Sequence, residues 1–165
     1  MSRFEHEPIQ RHPGMQPFSR DHYVGLVHAQ RLIKAAEGDA AARRGAIAAF
    51  LDAWDHEISA HFKDEERLLI PLMRQDDAGR LLREHEALRR MAREARDLRK
   101  QIDPAASWVR EAGERLRDHI RWEERELFGR IEAETDEAAL AKLAEETGRI
   151  EASRPRNTCR DSDEG

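Results

Sequence analysis

Two similar segments lie 58 residues apart in the chain, HFKDEERLL at residues 61–69 and HIRWEERELF at residues 119–128. In each segment a Glu follows a His by four residues, so that His61 precedes Glu65 and His119 precedes Glu123. Residues four apart lie one above the other on the same face of an α-helix. That face is otherwise apolar, because Ile, Leu, Ala and Trp continue it at spacings of three and four. The repeat therefore predicts two long helices whose buried faces each carry a His and a Glu.

The rest of the chain extends this pattern to an all-α fold. Charged residues make up 38% of the chain while Gly and Pro are few, which favours helices with solvated outer faces. Apolar spacing and capping residues predict helices at residues 19–37, 40–69, 76–102 and 103–133, with a short fifth helix at 135–150. The predicted N-caps are Ser19, Asp39, Asp76 or Asp77, Asp103, and Thr135 or Asp136. Four long helices joined by short loops predict an up-down-up-down antiparallel four-helix bundle.

We expect one domain at residues 19–150, preceded by an irregular arm at 1–18 and followed by a disordered tail at 151–165. The formal charge of −5, with Arg interspersed among acidic residues, argues against nucleic acid as a partner. No apolar run is long enough for a signal peptide or a membrane span, and the single Cys159 cannot form an internal disulfide. A cytoplasmic monomer or homodimer without a membrane partner is the expectation.

His22 and His85 place one more histidine on the apolar face of the first and of the third predicted helix. A single such His is more often a satisfied core residue than a ligand. Together with the two repeats, however, the set includes two buried carboxylates without Lys or Arg nearby on the same faces, which would cost several kcal/mol per ion. A cation must compensate, and a metal is the obvious one. In an antiparallel bundle all six candidate ligands approach the same end: His22, His61, Glu65, His85, His119 and Glu123.

The chain also divides into two similar halves, each with a lone-His helix followed by a His-x-x-x-Glu helix. Such a pair predicts two metal ions related by a pseudo-twofold axis, each bound by two His and both bridged by the two Glu. Imidazole with carboxylate suits iron, and manganese or zinc would also match these ligand types.

These residues resemble the hemerythrin-like, or HHE cation-binding, domain over about residues 19–133. The resemblance implies a four-helix bundle with two non-haem iron ions, oxo- or hydroxo-bridged, and by position it carries the same six residues over as ligands. True hemerythrins have a second His four residues after the first in the third helix, where this chain has Arg89. They also place the acid of the fourth helix where this chain has Glu124, whereas Glu123 has the spacing of the HHE relatives and lies on the apolar face.

Three functions follow from this reading. The first is a di-iron protein that binds, senses or reacts with a small molecule such as dioxygen, peroxide or nitric oxide. The second is a di-iron redox enzyme for peroxide decomposition or iron oxidation. The third is a zinc-binding or structural helical module. Among other residues, Glu57 and Glu126 are candidates to accept hydrogen bonds from ligand imidazoles, or else are solvated, while His28 and His56 lie off the ligand faces.

Overall fold

A computed structural model describes residues 9–154, and these residues form five helices and no strand. The second and fourth helices each contain a π-helical turn, and a short 3-10 turn at Ile70–Leu72 follows the second. The helices, in chain order, are the first at Gln16–Ala35; the second at Ala40–Ala53, Trp54–Ile58 (π) and Ser59–Leu68; the third at Gln75–Leu98; the fourth at Ala106–Trp122, Glu123–Leu127 (π) and Phe128–Glu134; and the fifth at Glu137–Ser153.

Two of the predicted N-caps are confirmed. The Asp39 side chain accepts a hydrogen bond from the backbone N–H of Ala42 at 2.8 Å, and Asp136 accepts one from Ala139 at 2.8 Å. Each carboxylate therefore satisfies an N–H that the first turn leaves free and lies where the helix dipole favours a negative charge.

The predicted cap at Ser19 is wrong. The Ser19 backbone N–H already bonds the carbonyl of Met15 at 3.2 Å, so Ser19 lies inside a helix that begins at Gln16. Pro17 occupies the first turn, where its missing N–H costs nothing. Met15 is fully buried, and the residues just before the first helix are thus part of the core.

The third and fourth helices also begin at positions other than those predicted. The third begins at Gln75, and Asp77 binds Arg130 at 2.8 and 2.9 Å instead of capping. The fourth begins at Ala106. Asp103 pairs with Arg43 at 2.5 Å, so this carboxylate ties the preceding loop to the second helix. The predictions for residues 1–8 and 155–165, including Cys159, lie outside the described residues.

The first helix packs along the fourth and also against the second, the second packs against the third, and the third against the fourth. Backbones approach closely at Gly113, where a Cβ atom would lie 2.7 Å from the carbonyl oxygen of Ala29. No other residue fits this crossing without displacing the first helix. Gly113 therefore lets the first and fourth helices pack closely, roughly two turns along these helices from His22 and His119.

The apolar core consists of two clusters, one containing Leu51, Leu88 and Leu116 and the other containing Leu69 and Leu127. Along the second and fourth helices, the His-x-x-x-Glu residues lie between members of the two clusters. The polar residues therefore form a buried layer that interrupts the core. None of the helices within residues 9–154 is both long and apolar enough to span a bilayer.

Candidate metal centre

The structure brings all six predicted ligands into one buried layer. Their exposed fractions do not exceed 6%, and both carboxylates are fully buried. The six fall into two groups that share both carboxylates, and in each group one possible ligand atom from every residue lies within 4.8 Å of the others. These groups are His22, His61, Glu65, Glu123 and Glu65, His85, His119, Glu123.

Each carboxylate turns one oxygen toward each histidine pair. Glu65 Oε1 lies 2.7 Å from Nε2 of His61, while its Oε2 lies 3.1 Å from Nε2 of His85. Glu123 is arranged in the opposite sense, with Oε2 2.8 Å from Nε2 of His22 and Oε1 3.1 Å from Nε2 of His119. The arrangement is that of two half-sites, one at His22 and His61 and one at His85 and His119, spanned by two carboxylates.

The inward atoms are close together but are not hydrogen-bonded to one another. The Nε2 atoms of all four histidines and both oxygens of Glu65 and Glu123 are buried without a hydrogen-bond partner. Buried polar atoms in folded proteins are nearly always paired. These eight atoms therefore need either protons on the imidazoles, which would make ion pairs across the 2.7 to 3.1 Å between Nε2 and carboxylate oxygen, or cations that they share. Imidazole nitrogen and carboxylate oxygen are ligands for divalent transition metals, and two such cations fit this donor set.

The outward nitrogen of each histidine contacts a second carboxylate that sequence reasoning did not identify. The distances to Nδ1 range from 2.7 to 3.1 Å. A carboxylate at Nδ1 fixes the tautomer with Nδ1–H donating outward, which leaves the Nε2 lone pair facing inward. The pairs are His22 with Glu124, His61 with Asp21, His85 with Glu66 and His119 with Glu84.

These four outer carboxylates, Asp21, Glu66, Glu84 and Glu124, form a cycle around the first four helices. Each helix supplies the acid that holds the histidine of the next, and the fourth helix returns to the first. Each acid is also the immediate sequence neighbour of an inward residue of its own helix. Adjacent positions on a helix are about 100° apart, so an acid next to an inward residue points toward the neighbouring helix. The dipeptides Asp-His, Glu-Glu and Glu-His are thus a partial signal, since Asp118 also precedes an inward residue, His119, and is exposed.

Glu123 and Glu124 lie on opposite sides of the His22 ring. Glu123 is fully buried between the histidines, and Glu124 lies outside them at Nδ1 of His22. Glu57 and Glu126, for which the sequence allows both a hydrogen bond to a ligand imidazole and a solvated position, are exposed. Arg89 pairs with Glu66 at 2.8 Å. Metal binding by the six inward residues remains a prediction at this point.

Neighbouring charges within the layer shift the pKa values of several of its side chains. Burial lowers the pKa of His61, but the charge of Glu65 and the hydrogen bond to Asp21 outweigh it and raise that pKa to about 9. Burial also lowers the pKa of His119, but Glu123 and Glu84 outweigh this effect and raise that pKa to about 10. Burial would raise the pKa of Glu65, yet His61 and the other imidazoles hold it well below its usual range. Protons and metal ions therefore compete for the same inward atoms.

A cleft of about 350 Å³ adjoins the His22 and His61 half-site. Its walls are mainly apolar, and charged side chains, among them Glu57 and Arg154, also line it. On the other side, Phe62 stacks on His85 with ring centroids 3.9 Å apart. A more open cavity of about 390 Å³ adjoins His119 and is lined by charged residues. The two half-sites therefore differ in their surroundings.

The sequence model of the hemerythrin HHE cation binding domain matches residues 22–131, a span that contains all six inward residues. No curated protein matches the chain. No solved structure matches it either.

Proposed function

The chain belongs to the hemerythrin HHE cation-binding family, and from this premise we propose that it binds two iron ions and uses them to bind, sense or react with a small molecule such as dioxygen, peroxide or nitric oxide. The observation that carries the proposal is the set of eight buried, unpaired donor atoms arranged as two groups with two shared carboxylates. His22 and His61 would hold one ion, His85 and His119 the other, and Glu65 and Glu123 would bridge them.

The same proposal includes an up-down-up-down antiparallel bundle. The contacts between the first and second, second and third, third and fourth, and fourth and first helices support it. So does the cycle of outer carboxylates, which follows the same order. Short connections favour antiparallel neighbours, since a parallel neighbour needs a long crossover.

Bound iron would supply Lewis-acid and one-electron redox chemistry to a small ligand. The chain's own residues hold the donor atoms in place, because each imidazole is fixed from outside by a carboxylate. Each half-site offers two nitrogen and two oxygen donors, and a set of few protein ligands is typical of non-haem iron sites with open positions. The apolar walls of the cleft at His22 and His61 suit a small uncharged molecule.

Iron oxidation is the alternative that a specific observation favours. The open cavity beside His119 is lined by four acidic residues, Glu84, Glu111, Glu114 and Asp118, and by Arg80 and Arg115. The acids outnumber the arginines, and this excess of negative charge would attract Fe²⁺. Peroxide decomposition is the other enzymatic reading of the same centre. Measuring steady-state turnover of peroxide or Fe²⁺ separates either activity from binding. A sensor or carrier reacts once per site, whereas an enzyme goes through many cycles.

The test is a ligand titration of reduced, iron-loaded protein under anaerobic conditions. We expect addition of nitric oxide, dioxygen or peroxide to change the visible and near-ultraviolet spectrum, with saturation at a fixed ratio to protein. Zinc-loaded protein is the control, because zinc has no redox chemistry. A protein that takes up zinc but not iron, or an iron-loaded protein that responds to none of the three molecules, would support the structural module.

A further inference from the structure

Each of the four outer carboxylates is bound in turn by an arginine. The result is four chains of arginine, carboxylate and histidine that surround the two half-sites. These chains are Arg11–Glu124–His22, Arg154–Asp21–His61, Arg89–Glu66–His85 and Arg80–Glu84–His119, with arginine-to-carboxylate distances of 2.5 to 3.1 Å.

The arginines come from different parts of the chain at the two half-sites. Arg80 and Arg89 lie on the third helix, which also carries His85. Arg11 precedes the first helix, and Arg154 follows the fifth. The half-site at His22 and His61 is therefore held by segments at the two ends of the described chain, whereas the other is held from within the third helix.

Arg11 reaches His22 by two routes. Its Nη2 atom lies 3.1 Å from Oε2 of Glu124, whose Oε1 lies 2.7 Å from Nδ1 of His22. Its guanidinium also lies over the ring of Phe128, 5.6 Å from the centroid, and that ring stacks on His22. The Arg11 side chain is only 6% exposed. The buried Arg11 therefore fixes both Glu124 and Phe128, the two side chains that hold the His22 ring.

Arg154 holds the second histidine of the same half-site. Its Nη1 atom lies 2.9 and 3.1 Å from the two oxygens of Asp21, and Oδ2 of Asp21 lies 3.1 Å from Nδ1 of His61. Arg154 also lines the cleft beside His22 and His61. Its side chain is 40% exposed, so it can be replaced without opening the core.

We propose that Arg11 and Arg154 are positioning residues for the half-site at His22 and His61, and that the two ends of the described chain thereby control this half-site separately from the other. The inference rests on the proposed function for the identity of the ligand. An outer carboxylate that has lost its arginine keeps its charge but loses its fixed orientation, and the imidazole it holds loses its fixed ring angle. Removing the carboxylate that holds a metal ligand typically lowers metal affinity by about 10- to 100-fold. Removing the arginine behind that carboxylate should have a smaller effect, of up to about 10-fold.

The test is a stepwise Co²⁺ titration of metal-free protein, followed by visible absorbance, for Arg11→Gln, Arg154→Gln, Arg80→Gln and Arg89→Gln. The first two variants should weaken one binding step by up to about 10-fold and leave the other near its wild-type value. The last two should weaken the other step. Arg20→Gln is the matched control, because Arg20 also joins the first helix to the fifth, through an exposed ion pair with Glu151, and it should change neither step.

The second readout uses no metal. Ring ¹⁵N signals of the histidines in metal-free protein should change at His61 in Arg154→Gln and at His22 in Arg11→Gln, while those of His85 and His119 stay in place. Equal weakening of both binding steps, or ring signals unchanged from wild type, would overturn the proposal. Wild-type protein that binds no Co²⁺ would instead count against the proposed function, and the ring signals would still decide the positioning role.

Discussion

Glu123 and Glu124 are neighbours in the sequence and contact opposite nitrogens of the same imidazole. Oε2 of Glu123 lies 2.8 Å from Nε2 of His22, and Oε1 of Glu124 lies 2.7 Å from its Nδ1. The two carboxylates differ in burial, since the Glu124 side chain is 24% exposed and that of Glu123 is fully buried. In the proposed centre Glu123 would share a metal ion with His22, and Glu124 would hold the ring of His22 from outside.

Replacing these two residues should therefore have different effects. In Glu123→Gln one carboxylate oxygen becomes an amide nitrogen, which cannot bridge two cations, so one iron or the coupled spectrum of the pair should be lost. Glu124→Gln should keep both irons and lower affinity by about 10- to 100-fold. Metal analysis after dialysis against a weak chelator measures both effects. If Glu124→Gln loses iron while Glu123→Gln keeps it, the roles assigned here are reversed.

Metal binding near neutral pH should release protons. In metal-free protein the pKa values of His61 and His119, about 9 and about 10, keep both imidazoles protonated at pH 7. The pKa of His22 is raised as well, by Glu123 and Glu124 against the opposing effect of burial. Because a metal requires the neutral ring, these protons must leave. Calorimetric titration in buffers of different ionisation enthalpy counts them, and a binding heat independent of the buffer would contradict the prediction.

The stability of metal-free protein should fall as the pH rises above neutral. A histidine whose folded pKa exceeds its unfolded value of about 6.5 contributes stability below that value. The contribution is lost as the pH rises through the folded pKa values of about 9 for His61 and about 10 for His119. Thermal melts at pH 6.5 and pH 10 should show a lower Tm at pH 10.

Two controls accompany these melts. In metal-loaded protein the imidazoles are already neutral. Its Tm should therefore not show the fall between pH 6.5 and pH 10 that the loss of histidine protons causes in metal-free protein. Glu65→Gln removes the charge that raises the pKa of His61 and should reduce the fall in metal-free protein. An unchanged or rising Tm for metal-free wild type between pH 6.5 and pH 10 would show that these histidines are not protonated in the fold.

The six inward residues could be predicted from the sequence because their apolar faces recur at helical spacing, and the helical class followed from the same spacing. The outer carboxylates could not, since acidic residues are common on solvated helix faces. Glu84 and Asp118 each precede an inward histidine, yet Glu84 binds His119 and Asp118 is exposed. Only the angle between neighbouring helices decides which of them reaches a histidine.

Arg11 and Arg154 were harder still to predict, because they lie outside the four long periodic segments. Their partners Glu124 and Asp21 are 113 and 133 residues away in the chain, so no local pattern links them. The first helix illustrates the same limit. Serine is a common N-cap residue, but Ser19 lies within the first helix. That helix begins earlier, after the buried Met15, and has Pro17 in its first turn.

Gly25 should control the cleft beside His22. A Cβ atom at Gly25 would lie 2.6 Å from Cδ1 of Ile120, and both residues line the cleft. In Gly25→Ala the Ile120 side chain must therefore shift, and we expect slower association of nitric oxide with reduced, iron-loaded protein in stopped-flow measurements.

Gly45→Ala is the matched control, since a Cβ atom at this helical and exposed position meets nothing within 4 Å. It should raise the free energy of unfolding by about 0.5–1 kcal/mol, because Ala loses less backbone entropy in a helix than Gly. Gly25→Ala should gain less, owing to the contact with Ile120. Equal stability gains together with equal association rates would show that Gly25 has no part in shaping the cleft.

The most direct test of the central claim, two iron ions bridged by Glu65 and Glu123, is the iron content of purified protein combined with its electron paramagnetic resonance spectrum in the ferric state. Two histidine pairs sharing two carboxylates predict two irons per chain. They also predict a coupled ferric pair whose spectrum is nearly silent. One iron per chain with the signal of an isolated high-spin ferric ion, or no iron after anaerobic reconstitution, would contradict the account.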